Sequence, residues 1–261
     1  IPVKRRRRLS GEFTFPARTV LQTNHSADYL ALDQLAGDLA GLGVVTRMGT
    51  PGRAAVRIIR DKSLGTREHY RLTVRPGKIE IRTPGTPGAY YGIQTLRDLL
   101  AARGKALPAV RIDDWPDFPR RGVYLDCSRG KVPTVKTLKQ LIERLAHWKI
   151  NELQLYIENT FRYASHPAIG VGYSPFTRTD ILAVGDHCAA HNVRLVGSLA
   201  SFGHMDKILC LPDYRHLAEM PDTRHEMGGD MCPGDPGSIA LMKDLYDEFL
   251  PLVKADDFNA C

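Results

Sequence analysis

The sequence predicts an α/β protein in two parts, and three observations carry that reading. Residues 18–105 hold strand-like and helix-like segments in mixed order. A stretch rich in Pro and Asp follows, from 106 to 120. Beyond Arg120 the pattern becomes a regular alternation of strand and helix, as parallel βα units require. At 43% hydrophobic and 25% charged, the 261 residues can bury a core as one large domain or two medium ones.

In the first part, residues 19–22 read as a short strand. Residues 28–42 place Leu32, Leu35, Leu39 and Leu42 at helical spacing, and Gly41 and Gly43 mark the helix end. Strands follow at 54–60, 68–74 and 78–82. The middle one alternates Tyr70, Leu72 and Val74 with polar neighbours, and Arg75-Pro76-Gly77-Lys78 turns it into the next. A helix over 87–102 presents Ile93, Leu96, Leu99 and Leu100 on one side. Residues 1–17, with the basic run Lys4 to Arg8, read as a solvated tail, and residues 106–120 as a connector holding the domain boundary.

In the second part, residues 122–126, 151–157 and 193–199 read as strands. Residues 134–148, 177–191 and 238–250 read as helices, with Thr177 the N-cap of the second. Residues 257–261 open a fourth strand. A four-stranded parallel sheet fits a doubly wound domain or half of a (β/α)₈ barrel, since a full barrel takes about 250 residues.

Composition narrows the function classes. The net charge is +7, partly from the Arg5 to Arg8 run, but no aromatic interleaving or DNA-reading motif accompanies it, so no nucleic-acid partner is expected. No apolar run approaches the roughly 18 residues of a membrane span, so no membrane partner is expected either. The five cysteines are odd in number and widely spaced. They predict free thiols of a reducing compartment and, with no leader visible, a cytoplasmic location.

In βα architectures chemistry gathers at the C-terminal ends of strands. Three such ends are unusually polar: Leu125-Asp126-Cys127-Ser128-Arg129, the run from Tyr156 to Tyr163 containing Glu158, and the run from Ser198 to Met205 containing His204. On neighbouring parallel strands, Arg129, Glu158 and His204 converge on one rim. An Arg can fork onto vicinal hydroxyls, a His beside a carboxylate can be tuned for proton work, and Tyr and Phe offer stacking faces to a sugar ring. Each also has a plainer reading. Arg129 can simply pair with Asp126 or Glu158, Glu158 can be a cap, and His204 can be a satisfied buried histidine. Their occurrence on successive strand ends favours function. The remaining histidines, His25, His69, His147, His166, His187, His191, His216 and His225, read as surface or packing residues. No HExxH or comparable ligand spacing is apparent, so no metal is expected. No Gly-rich phosphate loop follows a strand, and Gly228-Gly229 is too weak a signal.

Four segments in order resemble glycoside hydrolase family 20, in a divergent branch. They are the run Ala89 to Leu96, the paired stretches Ile112 to Asp114 and Pro119 to Arg129, the run Lys149 to Tyr156, and Phe202-Gly203-His204. The resemblance implies a small N-terminal α/β domain (18–105) followed by the first half of a (β/α)₈ TIM barrel, strands one to four, over 121–261. It implies hydrolysis of terminal β-linked N-acetylhexosamine from a glycan without a cofactor. The route is substrate-assisted and retaining: the acetamido oxygen attacks the anomeric carbon, an Asp orients the acetamide, and the adjacent Glu serves as acid and then base. By position, Arg129 would bind sugar hydroxyls, and His204 and Glu158 would form a supporting relay. Glu158-Asn159-Thr160-Phe161 replaces the family's paired aspartates. The Asp-Glu pair itself is expected just past Cys261. The chain is therefore expected to be a fragment, inactive alone. A non-catalytic carbohydrate-binding relative and an unrelated barrel enzyme are the alternatives.

Overall fold

The computed structural model describes residues 2–49, 54–221 and 229–261. His225 and Gly228 lie outside the described residues. The chain divides into two compact units, one running to Pro119 with His147–Lys149 added, the other Arg120–Ala146 with Ile150–Cys261.

Among the described residues the first unit holds a seven-stranded mixed sheet and two α-helices. In chain order it holds β1 (Arg5–Thr14), β2 (Arg18–Gln22), α1 (Tyr29–Gly41), β3 (Val45–Met48), β4 (Val56–Arg60), β5 (Tyr70–Arg75), β6 (Lys78–Thr83), α2 (Thr86–Arg103) and β7 (Ala106–Asp114). The sheet order is β1-β7-β5-β6-β4-β2-β3. Leu32, Leu35 and Leu39 of α1, and Ile93, Leu96 and Leu100 of α2, are buried together with Val56, Leu72, Val74, Ile79 and Ile81 of the sheet. Gly77 takes φ +83°, which lets the two-residue Pro76-Gly77 link close the β5–β6 hairpin between the paired Arg75 and Lys78.

Two expectations are corrected here. The basic run is no tail: Arg5–Arg8 pair antiparallel with Val110–Asp113 of β7, and the strand resumes at Glu12 after a bulge that Gly11 makes with φ +93°. The connector is no connector: β7 lies between β1 and β5, with Leu107, Ala109, Val110 and Ile112 buried. Pro108, which can donate no ladder hydrogen bond, falls beyond the segment paired with β5. Both strands are recruited by backbone pairing, which four consecutive arginines and a Pro-rich run do not advertise.

The second unit contains β8 (Gly122–Asp126), α3 (Val135–His147, its last residue grouped with the first unit), β9 (Glu152–Ile157), α4 (Arg178–Ala190), β10 (Arg194–Leu199), α5 (Asp206–Leu209), α6 (Pro236–Phe249) and β11 (Phe258–Asn259). The sheet order is β11-β10-β9-β8, and every pairing is parallel. Consecutive strands are spatial neighbours, as in a barrel, whereas a doubly wound sheet reverses its order at a switch point. The central strands β9 and β10 are buried almost throughout, and β8 is half-exposed. Thr177 caps α4 in a full capping box: its hydroxyl accepts from the Asp180 N–H while the Asp180 carboxylate accepts from the Thr177 N–H at 2.8 Å. No helix among the described residues is long and apolar enough to cross a membrane.

Candidate active site

The three residues singled out on successive strand ends lie together. Arg129, Glu158 and His204 line one cavity of about 400 Å³, joined by Asp206, Lys207, Gly229 and Asp230. All belong to the second unit.

The cavity is organised around Arg129. Its Nη1 donates to Asp126 Oδ2 at 2.7 Å, and its Nη2 lies 3.0 Å from Glu158 Oε1 and 3.2 Å from His204 Nδ1. The guanidinium carbon sits 5.5 Å from the Tyr156 ring centre. These contacts fix the fork, and the side chain remains 52% exposed toward solvent. The hydrogen bond to Asp126, then the charge of Glu158, holds Arg129 protonated more firmly than usual. Burial works to raise the Asp126 carboxyl, but N–H bonds from Ser128 and Arg129 together with the guanidinium outweigh it and keep it below the ordinary range.

Glu158 is buried at the floor. Its Oε1 accepts from the Tyr156 hydroxyl at 3.0 Å, and its Oε2 lies 3.4 Å from Lys207 Nζ. Its own N–H donates to Ser128 Oγ at 2.8 Å. Burial, and next the Glu158 carboxylate, raises the Tyr156 phenol, so it stays protonated and donates. Two cations and a phenol thus converge on a carboxylate withdrawn from water, the arrangement a buried charge needs. Of the Glu158-Asn159 pair it is Glu158 that lines the cavity; Asn159 is fully buried, and neither atom of its amide has a hydrogen-bond partner among the described residues.

His204 is exposed at the rim with φ +59°, a left-handed conformation costly for a residue with a Cβ. It meets Glu158 through the Arg129 guanidinium; no direct bond joins the two among the described residues. Cys127 is adjacent in sequence but buried, and burial pushes its thiol up to about 12, which removes it as a nucleophile at neutral pH.

Phe161 and Tyr163, aromatics of the second polar strand end, are core residues packed edge-on at 4.9 Å and offer no stacking face. The exposed aromatic face beside the cavity is Tyr173, with Lys207 Nζ 5.7 Å from its ring centre. Sequence reading missed Lys207, Asp230 and Tyr173. Lys207 lies three residues past His204, so its proximity was a usable signal. Asp230 is delivered by backbone pairing of the segment 217–219 with 230–232, which leaves no local trace.

The fold and the cavity at the strand ends define a barrel-type α/β protein with a polar cavity on its C-terminal rim. Comparison with known proteins agrees. Residues 2–115 match the profile described as glycosyl hydrolase family 20, domain 2. A β-N-acetylhexosaminidase of Cellulomonas fimi is 28% identical over 275 residues, covering 94% of this chain and 54% of that protein. Two solved structures share the fold over 99% of this chain. The exo-β-N-acetylglucosaminidase of Vibrio harveyi in complex with N-acetylglucosamine has TM-score 0.85 and 18% identity, with 45% of its chain covered. The N-acetyl-β-hexosaminidase of Streptomyces plicatus in complex with thio-NAglucal has TM-score 0.85 and 19% identity, with 57% covered. Residues 2–115 thus match a domain of glycoside hydrolase family 20, and over nearly its whole length the chain shares the fold of solved family 20 structures. It spans about half the length of these relatives.

Proposed function

We propose that the whole protein hydrolyses terminal β-linked N-acetylhexosamine from glycans by the substrate-assisted retaining route. The observation that carries this reading is the meeting of Arg129, Glu158 and His204, from three successive parallel strand ends, at one solvent-open cavity. The relatives' activities support the substrate class.

Each residue has a role its surroundings suit. Arg129 is held from behind by Asp126 and Glu158, so its outward N–H groups can bind vicinal hydroxyls of the terminal sugar without a search through rotamers. Glu158 fixes that fork, and His204 completes a polar chain along the rim that can support the family's acid/base carboxylate. Tyr173 offers an apolar face to a sugar ring. The acetamido oxygen of the substrate is the nucleophile, so no side chain of this chain need form a covalent intermediate.

The test is hydrolysis of a chromogenic β-N-acetylglucosaminide by the full-length protein, wild type against Arg129→Ala. Turnover that falls about a thousandfold in the variant is expected, as for loss of two hydrogen bonds from a charged donor at about 2 kcal/mol each. Binding of N-acetylglucosamine without turnover would convert the protein into a carbohydrate-binding relative. Neither binding nor turnover would move it to another barrel chemistry.

A further inference from the structure

Away from the cavity, Glu143, His187 and His191 gather on α3 and α4 with their ligating atoms all within 4.8 Å of one another. We propose that these three residues bind a divalent cation of zinc type and clip the C-terminal end of α4 to α3.

The arrangement follows from helix geometry. His187 and His191 are four residues apart, one in the last turn of α4 and the other its C-cap, so their rings lie on one face with centroids 4.3 Å apart. Glu143 on α3 brings a carboxylate, its Oε1 3.2 Å from His187 Nε2. A tetrahedral zinc site with bonds of about 2.1 Å has ligand–ligand edges of roughly 3.4 Å. One edge is therefore already formed, and the others close by small side-chain rotations.

The second layer is also in place. His191 Nδ1 lies 2.8 Å from the His187 carbonyl oxygen, which can only accept. That contact orients the His191 ring, as a backbone carbonyl commonly does for a metal-ligating histidine. His191 itself is 4% exposed, so its ring is held by packing before any ion arrives. Binding replaces the proton shared between His187 Nε2 and Glu143; that proton leaves to solvent or re-enters at His187 Nδ1. Two imidazoles and one carboxylate, with a water as fourth ligand, suit zinc, copper or nickel better than the all-oxygen preference of magnesium or calcium. The opposing charge is Lys139, close enough on α3 to be felt at His187, whose long side chain can swing toward solvent.

The sequence held the signal in His187-Cys188-Ala189-Ala190-His191, and the expectation of no metal-ligand spacing overlooked it. What spacing could not supply is the third ligand, which comes from another helix.

The experiment is a zinc titration of the chelator-stripped full-length protein, wild type against His187→Gln and Glu143→Gln, both substituted at side chains that reach solvent. Wild type should hold one more zinc equivalent than His187→Gln, and Glu143→Gln should bind that equivalent at least about tenfold more weakly. Zinc should raise the melting temperature of wild type and not that of His187→Gln. Cobalt should give the visible absorption of a four-coordinate site in wild type, absent from His187→Gln. Equal zinc stoichiometry and affinity in all three proteins would overturn the proposal, as would equally strong binding of magnesium. Should His187→Gln fail to fold, Glu143→Gln, at an exposed position, decides the matter alone.

Discussion

At the N-terminal ends of the parallel strands, Arg120, Glu152, Arg194 and Asp257 close into a four-membered ring of charge. Glu152 pairs with Arg120 at 3.0 Å and Arg194 at 2.5 Å, and Asp257 with Arg194 at 2.8 Å and Arg120 at 3.2 Å. At the C-terminal ends of the same sheet, Arg129, Lys207, Glu158 and Asp126 are also two cations and two carboxylates, but all except Asp126 line a cavity. In the first cluster every charge faces an opposite charge within it. In the second, the carboxylates hold Arg129 from behind and leave its outer donors toward open space. The same residue types make a brace at one end and a binding surface at the other, and the difference lies in where the open volume is.

Arg129→Ala is the sharpest probe of that difference. It should remove about three orders of magnitude from kcat/KM while costing no more than about 1 kcal/mol of stability, because Lys207 and Tyr156 remain on Glu158. Arg194→Ala should behave in reverse. Buried Glu152 would lose one of its two guanidinium partners, for about 2 kcal/mol in a denaturant titration, with kcat/KM of the folded protein unchanged. Burial works to raise the Glu152 carboxyl, but bonds from Gln154 and Arg194 and the charge of Arg120 outweigh it and leave it below its ordinary value. A depressed folded-state value means the contribution is full above the unfolded value of about 4.3 and is lost as pH falls below it. The gap between wild type and Arg194→Ala should therefore shrink in acid. A gap that widened there would show that the ring does not act through Glu152.

The central sheet tests the same contrast at smaller scale. Gly197 lies midway along β10, and a Cβ there would come within 2.7 Å of the Phe258 ring and 2.9 Å of the Phe249 ring. Gly197→Ala should cost about 2 kcal/mol by overpacking, and it should disturb β11 before it disturbs the cavity. A melting temperature equal to wild type would mean the two rings have room to move.

Much of this was legible in the sequence, for identifiable reasons. The alternation from β8 to β11 was readable because buried parallel strands are apolar runs and the intervening helices carry clear stripes, such as Leu138, Ile142 and Leu145. The edge strands of the first unit were not. β3 exposes Val45 and Met48, and β1 has only Phe13 buried, so neither shows an inward face. In the site, residues at strand ends were found because strand ends are predictable. Asp230 and Tyr173 were missed because loop paths are set by tertiary contacts, such as the Met231 N–H to Phe202 carbonyl bond at 2.8 Å. Which aromatics face the cavity was not legible for a related reason: Phe161 and Tyr163 are packed inward, and composition does not reveal which side of a loop is packed.

Thr177 gives the smallest effect and the finest discrimination. It stands where the loop following β9 enters α4, at the same end of the sheet as the cavity, yet its hydroxyl and N–H are engaged with Asp180 in the capping box. Thr177→Ala removes the acceptor for the Asp180 N–H and should cost about 1 kcal/mol of stability. A purely local cap leaves kcat/KM unchanged, and that is the expected result. Tyr173, the aromatic face beside Lys207, lies only four residues upstream in that loop. If Thr177→Ala instead lowered kcat/KM more than tenfold while melting as expected, the loop would have to be counted with Arg129 as part of the binding surface. The boundary between brace and site would then run through α4 itself.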